Sequence, residues 1–524
     1  MSLLKSVATF GGYTLISRFT GFARDMVIAN YLGAGLVSDA FFVSFKLPNL
    51  FRSLFAEGAF TAAFVPMLSG KIVSDGKEKA ILFASQAISV LTFFLAIFVL
   101  VMEFAMPWVV ELLAPGFSND AGKLALATTL SRITFPFLLF ISIVSFQSGI
   151  LNSFNKFAAP ASTPIILNLT MIASAFIFKN IGPTPAHGIA LGITIAGILE
   201  VLWLKYFLQR EHVTIKPQIN IVQILKLDDI KTLFRRIAPG ILGAGIYQIN
   251  MVIDMVLVSL VGTGAISWLY YANRLQQLPL GVVGAAISVA LLPILSKALK
   301  ANNHKEAIST QNKAIEYGAL LSIPSAVALI ILAHPIINIL FERGQFTAQD
   351  THMTALAVIA YSLGLPAYVF VKALTPNFFA RGNTKTPVKY SLIVFIANLI
   401  LCLTLMQKFG HIGISTATSC AAYVSLYQYI HGLKKRNYWT FDKLLITKIC
   451  KIILCSVIMG LCLYIAQQAL TLFHINWLTY NLTYKIIIFG FLCTLGVASF
   501  LLIAKLTNTI NISEIIKTLL KKGK

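Results

Sequence analysis

The sequence predicts an all-α polytopic membrane protein with 14 transmembrane helices, arranged as two parallel six-helix lobes around a central cavity plus two C-terminal helices. Three observations carry this. The chain is 57% hydrophobic and only 12% charged, with mean hydropathy +0.81, whereas a soluble domain is about a quarter charged. Its basic residues fall in alternate connections between apolar runs. Its two halves align with each other at an offset of about 229 residues.

Crossing a bilayer takes about 20 apolar residues in a helix. Fourteen runs meet that length, near 5–30, 37–68, 80–110, 124–150, 160–179, 188–208, 237–261, 266–296, 314–341, 353–375, 388–406, 412–432, 444–468 and 484–505. The long second and eighth runs contain Pro48 and Pro279, so they are expected to be bent or broken. The first run imitates a signal peptide, with Lys5 before an apolar stretch. Arg18 interrupts it and no small-residue cleavage site follows, so it reads as a retained span.

The net charge of +23 would suggest nucleic acid in a soluble protein. Here the positive-inside rule accounts for it and no nucleic-acid partner is implied. The N-terminal side collects Lys5, Lys71, Lys77, Lys79, Lys156, Lys205, Arg210, Lys216, Arg235, Arg236, Lys297, Lys300, Arg381, Lys385 and Lys434–Arg436. The other side holds little beyond Lys123, Lys179, Arg343, Lys408 and Lys485. Both termini are therefore expected in the cytoplasm, which requires an even number of spans. Trp108, Trp203, Trp439 and Trp477 fall near span ends, where an aromatic belt is expected. The six cysteines form no CxxC pair, the histidines form no HExxH, and no Walker lysine motif occurs. Disulfide scaffolds, those metal sites and ATP hydrolysis by the chain itself are thereby disfavoured.

In the repeat, Asp25-Met26-Val27 matches Asp254-Met255-Val256, Gly33 and Ser38 match Gly262 and Ser267, and Pro66 matches Pro293. Pro136 and Phe140 match Pro366 and Phe370. Six spans return the chain to its starting side, so both halves insert with the same orientation, as in transporters whose substrate site lies between repeats. The expected divisions are 1–225, 226–440 and 441–524, the last being two spans outside the repeat. The halves differ in charge: Arg18, Arg24, Asp39, Arg52 and Glu57 have no charged counterparts at the matching offset, and Asp39 is matched by Trp268.

A charge at bilayer depth costs a few kcal/mol or more, so this cluster calls for a use. At about 100° per residue, Arg18 and Asp25 share a helical face, with Arg24 one step around. Asp39, Lys46 and Glu57 share another, and Arg52 points elsewhere. Partial internal pairing leaves a surplus of guanidinium, the group best suited to bidentate capture of phosphate oxygens. Arg18, Arg24 and Arg52 are read as anion-binding, with Arg274 as the second half's contribution. Asp25 and Glu57 are divided between support for that site and simple pairing. Lys46 and Arg132 read as structural, Glu200 and Lys205 as snorkelling at the end of the sixth span, and Lys372 stays open. Asp254 lies in the apolar run INMVIDMVLVSL. It either binds a cation with oxygen ligands such as Asn398 and Thr418, or is a hydrogen-bonded carboxyl.

The segments SRFTGFARD, SDAFFVSFKLPNLFRSLFAEGAFTAAFVP, LYYANRLQQLPLGVVGAAISVALLPILS and ARGNTKTP resemble the MurJ (MviN) family of bacterial lipid II flippases, within the superfamily of multidrug, oligosaccharidyl-lipid and polysaccharide exporters. The resemblance covers essentially the whole chain. It implies a non-enzymatic transporter of the bacterial inner membrane that moves lipid II, an undecaprenyl diphosphate carrying a disaccharide-pentapeptide, from the cytoplasmic to the periplasmic leaflet by alternating access. Peptidoglycan synthesis, membrane lipid and other cell-wall synthesis proteins are its implied setting. The family's cavity arginines fall on Arg18, Arg24, Arg52 and Arg274, and its cavity acid on Asp39. Its last two helices form a groove for the lipid tail. Its sodium site resembles Asp254, Asn398 and Thr418. This chain has Asn273 where the family often has an acid beside the last arginine, and Cys402 where an acidic sodium ligand is expected one turn after Asn398. No other cofactor is implied, and membrane potential is the expected driving force.

Three other functions are weighed. A cation-coupled drug antiporter on the same scaffold would favour acidic and aromatic cavity residues, against the arginine excess. A flippase for another polyprenyl-diphosphate-linked glycan shares the same charge logic. A membrane enzyme would need a catalytic His/Asp or metal constellation, and the chain offers none in its motifs.

Overall fold

The computed structural model describes residues 3–55, 59–472 and 477–509, and among these every regular element is a helix. The chain divides into two compact units, residues 1–267 with 343–347, and residues 268–342 with 348–524. The sequence repeat divides near 225, so the first unit also takes the opening helix of the second repeat.

The first unit contains α1 (Leu3–Leu32), α2 (Leu36–Phe55), α3 (Ala59–Ser74), α4 (Lys77–Leu113), α5 (Ala121–Thr134), α6 (Phe137–Ser153), α7 (Ala158–Ile177), α8 (Pro185–Arg210), the short α9 (Ile221–Leu225) and α10 (Asp228–Ser259). Asp120 starts α5 by accepting the Lys123 N–H at 3.0 Å, and Pro185 stands in the first turn of α8, where its missing N–H costs nothing. Pro136 divides α5 from α6. Phe64 stacks between Phe146 and Phe83, with ring centroids 4.3 and 5.9 Å away. Close helix approach needs small residues in a membrane, where lipid competes for every apolar face: Gly197 lies against Phe137 and Phe140, and Gly192 against Ser174.

The second unit takes α11 (Ala265–Pro279) from Trp268 onward, a π-helical turn at Leu280–Gly284, α12 (Ala285–Lys300), α13 (His304–Ile331), α14 (Ala333–Phe341), α15 (Ala348–Phe379), α16 (Lys385–Lys435), α17 (Lys443–Leu472) and α18 (Leu482–Leu506). The bend expected at Pro279 is that π turn. α16 holds two spans, because Gly410 leaves helical geometry at φ 54° and ψ −131°. A side chain on Gly413 would strike the Leu405 carbonyl, so the chain doubles back there. Leu332, Ile339, Met459, Leu463, Leu492 and Phe500 form one core that joins α17 and α18 to the rest of the unit. α17 also closes an apolar cavity of about 270 Å³ lined in part by Ile315, Phe370, Leu374, Leu426, Trp439 and Ile449.

Nine helical segments among the described residues are long and apolar enough to cross a membrane, and the chain is a multi-pass membrane protein. Apolar helical pieces of two further runs are described at Ala63–Ser74 and Gln248–Ser259. The order of elements repeats: α2 begins at Leu36 and α11 at Ala265, α5 at Ala121 and α15 at Ala348, α7 at Ala158 and α16 at Lys385. Positive φ angles recur too, at Gly33 and Gly262, Gly76 and Asn302, Asn155 and Gly382, and Gly182 and Gly410.

Three sequence expectations are corrected here. Trp439 and Trp477 are 1% and 4% exposed and belong to buried clusters; only Trp108 and Trp203 have exposed rings. Glu200 is buried in α8, so only Lys205 is placed to snorkel. Lys123, assigned to an external connection, has its ammonium buried against Asp39.

Candidate functional site

α1 is apolar around its charges, and the outer surface near Arg18 is hydrophobic, with Leu15, Ile16 and Phe19 exposed. Arg18 is half-buried and makes no side-chain hydrogen bond or ion pair to any described residue. Arg24, two turns on, is buried and tightly held. Its Nε and Nη2 donate to Asp25 Oδ1 at 3.0 and 2.6 Å, its Nη1 donates to Asn168 Oδ1 at 3.0 Å, and its guanidinium lies 5.3 Å from the Phe45 ring centroid. Asp25 therefore pairs with its neighbour Arg24 and not with Arg18 on the shared face. Asn168 on α7 also donates to Ser17 O and Thr20 Oγ1. Gly21 faces it, and even a Cβ there would stand 3.5 Å from Asn168 Nδ2, an ordinary van der Waals contact. Arg52 is half-buried near the end of α2, close enough to Glu200 of α8 for the two charges to interact. Lys46 is half-buried in α2, and Arg132 is exposed and donates to the Glu103 carbonyl at 3.1 Å. Glu57 lies outside the described residues.

Asp39 does not stand open to a ligand in this structure. It is 0% exposed. Oδ2 accepts from Lys123 Nζ at 2.8 Å and from Gly264 N at 2.7 Å. Oδ1 accepts from Ser267 N at 3.0 Å and Ser267 Oγ at 2.7 Å. The carboxylate thus caps the first turn of α11, where orphan N–H groups and the helix dipole both favour an anion. The Lys123 ammonium balances its charge and also lies 4.3 Å from the Phe117 ring centroid. A fully satisfied buried carboxylate holds helices together; it has no lone pair left to aim at a substrate.

In the second unit Arg274 is half-buried, donates to Tyr270 Oη at 2.7 Å and lies over that ring. Gln277 donates to Asn273 Oδ1 one turn on. Lys372 is exposed on α15, its stem packed beside Gly284 of the π turn. The Trp268 indole donates to Asp350 Oδ1 at 2.9 Å and packs on His411, whose ring lies 4.8 Å away. Trp268 and Asp350 follow Asp39 and Lys123 by 229 and 227 residues, so each half joins the same two helices at the same two positions, once by an ion pair and once by an indole–carboxylate bond.

The three residues read as a sodium site lie in different units. Asp254, in the first, accepts from Asn250 Nδ2 at 3.5 Å. In the second, Asn398 Oδ1 accepts from the Cys402 thiol at 3.7 Å, while the Thr418 hydroxyl donates to Ile414 O and its carbonyl accepts from Tyr368. No group of three or more His, Cys, Asp or Glu side chains able to hold a metal gathers among the described residues. Sequence reasoning missed Asn168 and the role of Lys123. Neither has a local signal: each acts on a residue 144 or 84 positions away.

The family model described as lipid II flippase MurJ matches residues 28–487. The protein named "Probable lipid II flippase MurJ" in Rhizobium meliloti is 36% identical over 490 residues, 92% of this chain and 89% of that protein. The lipid II flippase MurJ of Burkholderia cenocepacia is 33% identical over 444 residues, 84% of this chain and 85% of that one. Among solved structures, a lipid II flippase MurJ in an inward closed conformation superposes with TM-score 0.78 at 30% identity, covering 95% of this chain and 98% of that one. An inward-facing multidrug-resistance MATE transporter of the MOP superfamily superposes with TM-score 0.64 at 15% identity over 82% of this chain and 98% of its own, a likeness of fold alone.

Proposed function

This chain belongs to the lipid II flippase MurJ family, and from that premise we propose that it carries lipid II across the cytoplasmic membrane of a bacterium, from the inner to the outer leaflet. It is a transporter and performs no covalent chemistry. The observation that carries the headgroup mechanism is Arg18: a half-buried guanidinium in an apolar helix, with no partner among the described residues, two turns from a second arginine held in place. A diphosphate offers planar oxygen edges that match this fork. Arg18, Arg24, Arg52 and Arg274 are the residues proposed to meet it, and alternating access then delivers the headgroup outward. Asp39 has a different part, holding the start of α11.

The polyprenyl tail remains in hydrocarbon. Support comes from α17 and α18, which carry apolar exposed faces, and from the apolar cavity that α17 closes, whose chemistry suits a hydrocarbon chain. Membrane potential drives the step, at about 2.3 kcal/mol per charge per 100 mV. Both termini face the cytoplasm, where the basic connections lie. Other cell-wall synthesis proteins act on the same lipid and are its functional neighbours. A sodium requirement through Asp254, Asn398 and Thr418 is tested by replacing sodium with choline during transport.

The test is replacement of a cell's own lipid II flippase by this chain, together with outward transfer of labelled lipid II in proteoliposomes. Growth and transfer are expected. Binding and growth rescue with a different polyprenyl-diphosphate glycan, and none with lipid II, would overturn the assignment of substrate.

A further inference from the structure

We infer that Asn168 is a positioning residue for Arg24, setting the guanidinium's orientation for phosphate without cancelling its charge. The inference rests on the proposal that Arg24 meets the diphosphate. Asn168 is 5% exposed on α7 and is used on both sides of its amide. Its carbonyl oxygen accepts from Arg24 Nη1 at 3.0 Å. Its NH2 donates to Ser17 O at 3.1 Å and Thr20 Oγ1 at 3.2 Å, two turns and one turn before the arginine on α1. α7 packs beside Gly21, between them, so that the one amide reaches all three. These contacts also fix the amide orientation: turned over, it would present an NH2 to the arginine and an oxygen to the Ser17 carbonyl.

Asn168 and Asp25 thus grip Arg24 with acceptors of different charge. Asp25 takes Nε and Nη2. A second carboxylate at position 168 would leave the guanidinium outnumbered and repel an incoming phosphate. A neutral amide supplies the geometry and adds no charge of its own. The buried arginine is held at both ends of its planar group, the condition under which a bidentate donor loses least freedom when it binds.

The experiment uses the purified full chain and undecaprenyl diphosphate as the probe, with Kd and Tm read for Asn168→Ala, Asn168→Asp and Arg24→Lys, and for both Asn168 variants combined with Arg24→Lys. If Asn168 acts through the arginine, Asn168→Ala raises Kd about tenfold, and Asn168→Asp raises it further. In the Arg24→Lys background the Asn168→Ala effect falls below about twofold, because the oriented fork is already gone. An equal Kd penalty in both backgrounds, or loss of Tm with unchanged Kd, would make Asn168 a plain α1–α7 staple and overturn the inference. Should Asn168→Ala fail to fold, Asn168→Asp, of nearly the same shape, decides by the same comparison. An Arg24→Lys Kd equal to that of the parent would instead overturn the diphosphate reading on which the inference stands.

Discussion

The Lys123 ammonium lies 2.8 Å from the Asp39 carboxylate, and the pair is buried on both sides, at 5% and 0% side-chain exposure. Removing one partner of such a pair strands a charge and costs about 3–5 kcal/mol, whereas removing both together costs less. Lys123→Met and Asp39→Asn should each lower Tm strongly, and the double variant should lie above the worse single. Exchange of the two, Asp39→Lys with Lys123→Asp, should fail to restore stability. A lysine at position 39 cannot accept the N–H groups of Gly264 and Ser267. Thermal unfolding of the purified variants measures all four. A rescued exchange variant would show that the pair alone matters and that the cap on α11 does not.

The tight return in α16 gives a second prediction. A Cβ on Gly413 meets the Leu405 carbonyl and the Met406 nitrogen, which are backbone atoms with no freedom to move aside. Gly413→Ala should therefore cost at least about 1–3 kcal/mol as an overpacking change. Gly490→Ala in α18, where nothing lies within 4 Å, should be neutral. Comparable Tm values for the two would argue that α16 does not double back at Gly410.

Loss of the last two helices should separate insertion from transport. They share a core with Leu332 and Ile339, yet lipid tails can cover an apolar face as well as leucine does. The polar losses are few: Lys448 leaves Glu316 at 2.7 Å, Lys485 leaves Asn338 Oδ1 at 2.8 Å, and Gln467 leaves the Ile331 carbonyl at 3.4 Å. A chain ending near residue 440 should insert and remain detectable, but transfer no lipid II in proteoliposomes. Transport at the parent rate would remove α17 and α18 from the handling of the tail.

The helices and the repeat were legible because they rest on local chemistry. Apolar length marks a span, while Gly33 and Gly262 mark turns that take a left-handed backbone. An arginine in an apolar run stands out for the same reason, at any position. Partner choice was not legible. A helical wheel joins Arg18 to Asp25 by direction, but the guanidinium of Arg24 is long and bends back to its neighbour. Lys123 and Asp39 meet only after α5 packs on α2. Glu200 reads as snorkelling until α8 is seen to bury it, and tryptophan serves a belt or a core with equal ease, as Trp108 and Trp439 show.

Topology can be checked directly. From the alternating basic connections, residues near 76, 215, 302 and 438 are expected on one side, with both termini. Reporter fusions at these four points should all give a cytoplasmic signal. A periplasmic signal at any one breaks the alternation and changes the span count.

The arginine that should answer most clearly is Arg24. Arg18→Ala, Arg24→Ala, Arg52→Ala and Arg274→Ala are each expected to abolish or severely reduce transfer at normal protein level. Arg→Lys should recover part of it, because ammonium keeps the charge but loses the fork. Arg24 adds a structural complication: its loss leaves Asp25 buried without the guanidinium that now donates to it at 2.6 Å. Stability and transport must therefore be separated, and the acid to remove is Asp25, the carboxylate it touches. Arg24→Ala with Asp25→Asn relieves the stranded charge, so Tm should recover by most of what Arg24→Ala lost. Growth in cells depleted of their own lipid II flippase should not recover. Recovery of growth along with Tm would mean that Arg24 serves only to neutralise Asp25, and that the diphosphate is held elsewhere.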